Sequence, residues 1–306
     1  MDLKTLALAV RLPFVTASAL PAILAITWCA AAGGKFNLFF AVLCLIGVVL
    51  VHIGANTIND YFDWNVSDAS NPNAGPFNGG SRNAVGDRVP RGRFLMIALA
   101  SLLLLIFIAL IFILEGRFYV LYFSLSGLAI GYLYSSPPFR LHSRGFGEFL
   151  IFLAFGPVLS AAVCYVIAGT VTPVNFLIGI PAGLSTTAVL WINQFPDYAA
   201  DKTSGKANLT VRLGLRNSIP VYVLLIFSVY LSVAILILYH IFSPWSALIV
   251  ILIPGSIKSI EALFKNYENP KALMPVQGFT ISFQMLSILL TAAGLVIGRF
   301  TEHWRF

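Results

Sequence analysis

Nine apolar runs of roughly 20 residues, each long enough to cross a bilayer as a helix, alternate with polar stretches along this chain of 306 residues. Charged residues make up only 10% of the sequence, against about 25% in soluble domains. The pattern predicts an all-α membrane protein with nine transmembrane spans. Their approximate limits are 12–33, 37–58, 94–114, 118–135, 147–169, 174–194, 219–241, 244–264 and 275–298.

Lysine and arginine are distributed unequally between the two ends of these predicted spans. Fifteen of the 19 basic residues fall at the N-terminus or in the loops after even-numbered spans, and four fall on the other side. In membrane proteins the excess of Lys and Arg marks the cytoplasmic loops. The asymmetry therefore predicts a multi-pass protein of the plasma membrane, with a cytoplasmic N-terminus and an external C-terminus.

Two polar clusters, Asn56–Asp63 and Asn193–Asp201, end the second and sixth predicted spans on the same, cytoplasmic side. Carboxylates at a membrane edge are energetically unfavourable and indicate a functional site. Residues three or four positions apart share one face of a helix. This spacing can direct several oxygens of each cluster toward one point. The residues concerned are Asn56, Asn59, Asp60 and Asp63 in the first cluster, and Asn193, Asp197 and Asp201 in the second.

Four carboxylates that converge near a bilayer would repel one another unless cations bind between them. Oxygen ligands, one or two carboxylates per ion and a bound phosphate are the preference of Mg²⁺. Basic residues on the same side would suit a polyanion, and these are Arg82, Arg140, Arg144 and Lys202. Together with the apolar bundle they favour a diphosphate on an apolar tail as the ligand. Membrane lipid is the other expected partner, and nucleic acid is not expected.

At the first cluster the chain resembles the UbiA superfamily of intramembrane prenyltransferases. The first signature of that family is Asn-Asp-x-x-Asp-x-x-x-Asp, and Asn59, Asp60 and Asp63 match it. Ser67 stands at the position of its last aspartate, and Asp68 follows one residue later. The third carboxylate of this signature is therefore displaced or missing here.

The second family signature, Asp-x-x-x-Asp, is met by Asp197 and Asp201. The resemblance covers essentially the full chain, including segments 11–13, 134–148 and 202–214. Within the superfamily, Asn-Asp-Tyr-Phe-Asp followed by a long loop with Gly-Gly-Ser-Arg at 79–82 most resembles the 1,4-dihydroxy-2-naphthoate prenyltransferases of menaquinone synthesis. The fold implied is a single domain, 1–306, with nine helices in a ring around a central cavity. Loops at about 64–93 and 195–218 would cap it on the cytoplasmic side.

The resemblance also implies roles for individual residues, with Mg²⁺ and a prenyl diphosphate bound between the two signatures. The implied metal ligands are Asn59, Asp60, Asp63, Asp197 and Asp201, and the four aspartates are also implied to be catalytic. Further contacts to the diphosphate would come from Asn56, Asn59, Arg82, Arg140 and Lys202. Tyr134 is the candidate for contact with substrate or with an allylic cation, because ring faces stabilise cations. His52, one helical turn before Asn56, is interpreted as a packed, hydrogen-bonded residue.

Two other interpretations are compatible with the sequence. A transporter of divalent cations or phosphorylated solutes would also carry acidic residues in its spans, although it would place them near the bilayer midplane. Prenyl transfer to a different acceptor, geranylgeranylglyceryl phosphate or 4-hydroxybenzoate, would use the same two signatures. The preferred prediction is Mg²⁺-dependent prenyl transfer to a small aromatic acceptor.

Overall fold

The computed structural model describes residues 3–33, 36–63 and 89–301, and no strand occurs within these ranges. In chain order the α-helices are α1 (Leu3–Ala9), α2 (Thr16–Ala31), α3 (Leu38–Asp63), α4 (Arg91–Leu114), α5 (Val120–Ser135), α6 (Gly147–Phe155), α7 (Pro157–Ala168), α8 (Pro173–Leu177), α9 (Ile180–Thr203), α10 (Leu209–Leu213), α11 (Leu215–Leu238), α12 (Ile253–Asn266) and α13 (Met274–Thr301). Segments of 3₁₀ helix cover Leu12–Val15, Leu141–Arg144, Pro244–Leu252 and Pro270–Leu273.

Seven helical segments of the described chain are long and apolar enough to cross a membrane. They are Leu38–Phe62, Arg91–Leu114, Gly147–Ala168, Pro173–Thr203, Leu215–Leu238, Pro244–Asn266 and Pro270–Thr301. Two further apolar helices, α2 and α5, have 16 residues each. Helices suit these runs because they satisfy every backbone hydrogen bond within the segment. The all-helical membrane class is thus confirmed, whereas the count of nine spans and the orientation stay predictions.

Three of the predicted spans are interrupted rather than continuous α-helices. The fifth is broken at Gly156, between α6 and α7, and the sixth begins as the short helix α8 before α9. A β-carbon at Gly156 would lie 2.8 Å from the backbone oxygen of Gly179. Glycine is therefore required where the α6–α7 junction packs directly against the start of α9. The eighth predicted span begins as the 3₁₀ segment Pro244–Leu252 and continues as α12.

The spans pack in chain order, and α13 packs against α2, so the bundle closes into a ring. Further contacts cross the ring, between α2 and α7 and between α9 and α13. In one of these, Gln277 of α13 donates from Nε2 to Oδ1 of Asn193 on α9 over 2.9 Å. In an apolar 18-residue stretch of the α8–α9 segment, 67% of the residues are buried, against 28% in the corresponding stretch of α3. The helix that carries the second polar cluster therefore lies in the interior of the bundle.

Candidate active site

Both polar clusters lie at one end of the bundle, where α3 and α9 finish and α6 begins (the acidic end). The first cluster forms the last turns of α3. Asn56 and Asn59 line a cavity between the helices. Asp60 has no exposed surface, and its carboxylate is paired with the guanidinium of Arg11. The side chain of Asp63 lies outside the described residues.

Arg11 reaches the first cluster from the junction between α1 and the first 3₁₀ segment. Its backbone is left-handed, with φ 51° and ψ 48°, which is uncommon for a residue other than glycine. From this turn the side chain lines the cavity and donates to Asp60. Arg11 was not among the predicted site residues. Its signal in the sequence is a charge directly before the first apolar run.

The second cluster is carried by α9, which stays helical through Pro196 and beyond the position where a loop was expected. Asp201 is 8% exposed. Its Oδ2 accepts a 2.8 Å hydrogen bond from Asn208 Nδ2, and its Oδ1 lies 3.7 Å from Lys206 Nζ. The chain that follows α9 therefore folds back over this carboxylate. Asp197, one turn earlier on the same face, is partly buried.

The expected cap loop 195–218 consists largely of helix, with α10 held in place by a buried hydrogen-bond network. Gln194 Nε2 donates to Glu148 Oε1 over 2.8 Å, and Thr210 Oγ1 donates to Gln194 Oε1 over 2.6 Å. Asn208 caps α10 by accepting from the backbone N–H of Val211 at 2.8 Å. Since the partners come from α6, α9 and α10, they fix the segment that covers Asp201. None of Glu148, Gln194 and Asn208 was predicted as a site residue.

Tyr134 connects the cavity with the second cluster. It lies in the last turn of α5 and lines the cavity. The ring of His142 packs against it at 5.2 Å between ring centroids, and His142 Nδ1 is hydrogen-bonded to the backbone oxygen of Tyr134. A β-carbon at Gly147 would lie 2.9 Å from Cα of His142, so this close approach needs glycine. His142 in turn interacts electrostatically with Asp201.

The basic residues predicted to contact a diphosphate are placed differently from one another. Arg140 has a left-handed backbone, with φ 42°, and its Nε is buried without a hydrogen-bond partner in the described residues. Lys202 is exposed, with its ammonium 5.7 Å from the centroid of the Tyr198 ring. Arg82, like Ser67 and Asp68, lies outside the described residues. Arg140 thus offers a buried donor, whereas Lys202 lies at the surface.

A cavity of about 320 Å³ opens beside the first cluster, between α3, α4, α5 and the α6–α7 pair. Its polar lining is concentrated at the acidic end, in Arg11, Asn56, Asn59, Tyr134 and Ser135. Elsewhere the wall is mostly apolar or small, and the far end is formed by Cys44, Phe112, Val120 and Val166. Along α3 the distance from Asn59 to Cys44 is about 22 Å. The cavity therefore suits a molecule with a polar head and an extended apolar body.

The oxygen donors at the acidic end fit a divalent cation. Oδ1 of Asn59 is buried and has no hydrogen-bond partner among the described residues. Oδ1 of Asp201 makes a long contact with Lys206 Nζ. Amide and carboxylate oxygens of this kind are typical ligands of Mg²⁺. In the described chain, which leaves out the side chain of Asp63 and residues 64–88, no three Asp, Glu, His or Cys side chains are grouped closely enough to hold a metal ion.

Solved structures share this fold. That of digeranylgeranylglyceryl phosphate synthase superposes with a TM-score of 0.65 at 20% identity, covering 96% of this chain and 99% of that one. That of a UbiA homologue from Archaeoglobus fulgidus, bound to DMAPP and Mg²⁺, gives a TM-score of 0.63 at 17% identity, covering 92% and 98%. At these identities the likeness concerns the fold.

Curated relatives share sequence with the chain. The 2-carboxy-1,4-naphthoquinone phytyltransferase of Synechocystis sp. is 31% identical over 173 residues, which is 56% of each chain, so this protein matches about half of that relative's length. The 1,4-dihydroxy-2-naphthoate octaprenyltransferase of Escherichia coli is 28% identical over 276 residues, 89% of this chain and 87% of the relative. The enzyme of the same name from Bacillus subtilis is 23% identical over 266 residues, 87% and 84%.

The family match covers most of the chain. The model of the UbiA prenyltransferase family matches residues 18–284. This range contains both polar clusters, the buried network around Asp201 and the cavity wall except for Arg11. The chain therefore belongs to the UbiA prenyltransferase family and is a membrane prenyltransferase.

Proposed function

We propose that this protein transfers a prenyl group from a prenyl diphosphate to 1,4-dihydroxy-2-naphthoate, in menaquinone synthesis. The observation that carries the proposal is the cavity, which is apolar over most of its depth and has Arg11, Asn59 and Tyr134 at its acidic end. A prenyl diphosphate has the matching halves, a charged head and a hydrocarbon chain. The relatives from Escherichia coli and Bacillus subtilis, whose names specify naphthoate prenylation, support this choice of acceptor.

The two polar clusters hold Mg²⁺ in this proposal. Its ligands are Asn59, Asp60, Asp63, Asp197 and Asp201. When bound, the ion supplies Lewis-acid neutralisation of the diphosphate leaving group. The residues in contact with the diphosphate are Asn56, Asn59, Arg82, Arg140 and Lys202. Arg11 joins them because it lines the cavity, and guanidinium groups bind phosphate through two parallel hydrogen bonds. When Arg11 pairs with a phosphate in place of Asp60, the Asp60 carboxylate would be available as a metal ligand.

The cavity wall serves the chemistry that follows. Ionisation of the donor leaves an allylic cation that water would capture, and a closed apolar site excludes water. Tyr134, held by His142, stands where the polar and apolar parts of the cavity meet, so that its ring face can stabilise the cation. With the bond to the diphosphate oxygen broken in that ionisation, an aromatic carbon of the acceptor bonds to the allylic carbon. That ring carbon then loses its proton, to the released diphosphate or to an aspartate of the clusters, which restores the aromatic ring.

We assign nine spans to the chain by counting the shorter helices α2 and α5 together with the seven long segments. The acidic end faces the cytoplasm and the membrane is the plasma membrane. Support comes from the basic residues around that end, which obey the positive-inside pattern: Arg140, Arg144, Lys202, Lys206 and Arg212. Residues 1–306 form one domain, with segments 64–93 and 195–218 as its cytoplasmic cap.

The proposal is tested by transfer assays with the purified protein in detergent. A labelled prenyl diphosphate is incubated with 1,4-dihydroxy-2-naphthoate, 4-hydroxybenzoate or geranylgeranylglyceryl phosphate, in Mg²⁺ or in EDTA. We expect labelled product with the naphthoate, and a requirement for Mg²⁺. Product with one of the other acceptors alone would show that the acceptor is assigned wrongly. Ion or solute flux in liposomes, with no diphosphate released from the donor, would favour a transporter instead.

A further inference from the structure

His52 is a buried polar side chain that has no hydrogen-bond partner in the part of the chain that the structure describes. It is 8% exposed and lines the cavity. Neither Nδ1 nor Nε2 has a partner among the described residues, which differs from the hydrogen-bonded packing expected from the sequence. Buried polar groups in folded proteins are almost always hydrogen-bonded. The ring therefore marks a position where a bound molecule would complete the hydrogen bonding.

The ring of His52 is held in a defined position. Phe155, the last residue of α6, contacts it edge to face, with 5.7 Å between ring centroids and 80° between ring planes. On α3, His52 shares a face with Asn56, one helical turn closer to the acidic end. His52 thus lies on the cavity wall at the depth where the polar lining gives way to the apolar wall.

The chemistry of the imidazole limits what it can bind. An apolar cavity favours the neutral ring over the charged one, and a neutral imidazole presents one N–H donor and one acceptor nitrogen. A hydrocarbon chain can use neither. In the proposed function the diphosphate is bound nearer the acidic end, by Arg11, Asn56 and Asn59. A hydroxyl on an aromatic ring both donates and accepts, and the ring that carries it suits the apolar wall.

We infer that His52 binds a ring hydroxyl of the aromatic acceptor. This inference rests on the proposed function and deepens it, because it names the residue that recognises the acceptor and the position where the acceptor ring lies. From His52 to Asn59 the rise along α3 is about 10 Å. A two-ring acceptor bound at His52 therefore extends toward the acidic end, where the allylic carbon of the donor would be held.

The variant His52→Phe tests this inference, since it removes both nitrogens and keeps a planar ring against Phe155. His52→Gln keeps one donor and one acceptor. Ser126→Ala is the control, because Ser126 is an exposed polar residue of α5 that is not part of the cavity wall. Binding of 1,4-dihydroxy-2-naphthoate and of its two monomethyl ethers is measured anaerobically by fluorescence titration without donor. KM and kcat are then measured for the acceptor and for the prenyl diphosphate.

We expect His52→Phe to raise the Kd and KM of the naphthoate about tenfold, as the loss of a buried hydrogen bond does. In the wild type, the monomethyl ether that blocks the hydroxyl bound by His52 should have a higher Kd than the dihydroxy compound. This difference in Kd should disappear in His52→Phe. His52→Gln should keep part of that preference, and Ser126→Ala all of it. The KM of the prenyl diphosphate should not change in any variant. An unchanged acceptor Kd and an unchanged ether preference in His52→Phe would overturn the inference.

Failure of the proposed function would look different. If the wild-type protein neither binds nor prenylates a hydroxylated aromatic ring, the proposed function and this inference are both wrong. If the wild-type protein prenylates the naphthoate and His52→Phe does so with the same KM, the inference alone is wrong. Should His52→Phe not elute as a single species, His52→Leu, which also removes both nitrogens, replaces it, and an unchanged acceptor Kd and ether preference in that variant overturn the inference.

Discussion

The carboxylate of Asp60 is paired with the guanidinium of Arg11, 49 residues away along the chain. Asp60 is 0% exposed at its side chain and Arg11 is 24% exposed. The pair joins the segment that precedes α2 to the end of α3, beside the polar end of the cavity. Arg11 therefore neutralises a carboxylate that the proposed function assigns to the metal.

The first prediction concerns this pair. Arg11→Gln or Asp60→Asn alone should lower the free energy of unfolding by about 3 kcal/mol, because each leaves a buried charge without its counter-ion. The double variant should recover most of that loss, since it removes both charges together. All three should lose prenyl transfer. Thermal unfolding in detergent measures the stability of the four proteins, and losses that simply add in the double variant would contradict the pairing.

The second prediction concerns the metal. Asp197→Asn should lower kcat at least about a hundredfold, because charge stabilisation by a bound ion contributes several kcal/mol. Its unfolding temperature should stay near that of the wild type, since Asp197 is only partly buried. The control is Glu115→Gln, which removes an exposed carboxylate at the C-terminal end of α4, away from the acidic end. EDTA should abolish wild-type turnover, and added Mg²⁺ should restore it. Full activity of Asp197→Asn would rule out a ligand role for Asp197.

The third prediction separates the two functions of Asn208, which caps α10 and donates to Asp201. Asn208→Asp keeps an N-cap acceptor but places a second carboxylate against Asp201. Asn208→Ala loses the cap as well, which costs about 1 kcal/mol. We expect the Asp variant also to lose stability, because two buried carboxylates in contact repel each other, and to have the weaker affinity for Mg²⁺. Equal Mg²⁺ dependence of turnover in the wild-type and Asp proteins would show that Asn208 does not position Asp201.

The fourth prediction tests the use of the cavity. A β-carbon at Gly131 would lie 3.6 Å from Cβ of Ala55, which is an ordinary contact, so Gly131→Ala should be active. Gly131→Leu would extend into the cavity, and we expect turnover to fall at least about tenfold while the protein stays folded, because the side chain occupies space meant for substrate. Gly92→Ala, where a β-carbon meets nothing within 4 Å, controls for loss of glycine. Wild-type turnover in Gly131→Leu would mean that substrate binds elsewhere.

The apolar runs were sufficient to predict the helices, because a bilayer leaves the backbone few alternatives to helix. Pro196 illustrates where local rules failed. The sequence predicted a cap loop from residue 195, just before this proline, yet α9 continues to Thr203. Interior packing of α9 and the bond from Gln277 to Asn193 hold this stretch in place. Such support comes from distant segments and has no local signature.

Spacing along α3 predicted that Asn56 and Asn59 share a face of one helix, and both line the cavity. The candidate site was not predictable where partners come from different helices. The pairing of Arg11 with Asp60 and that of Gln194 with Glu148 each depend on how spans pack. Spacing along a single helix contains no information about such contacts, and the missing hydrogen bonds of His52 are likewise a property of the packed cavity.

The first and last apolar helices of the bundle, α2 and α13, pack against each other. Gln277 of α13 also forms a hydrogen bond with Asn193 of α9, the helix that carries Asp197 and Asp201. A ribosome synthesises both acidic clusters well before it reaches α13. Until that helix enters the membrane, α9 lacks one of the walls that enclose it. Insertion of α13 therefore completes the packing around the helix that carries Asp197 and Asp201.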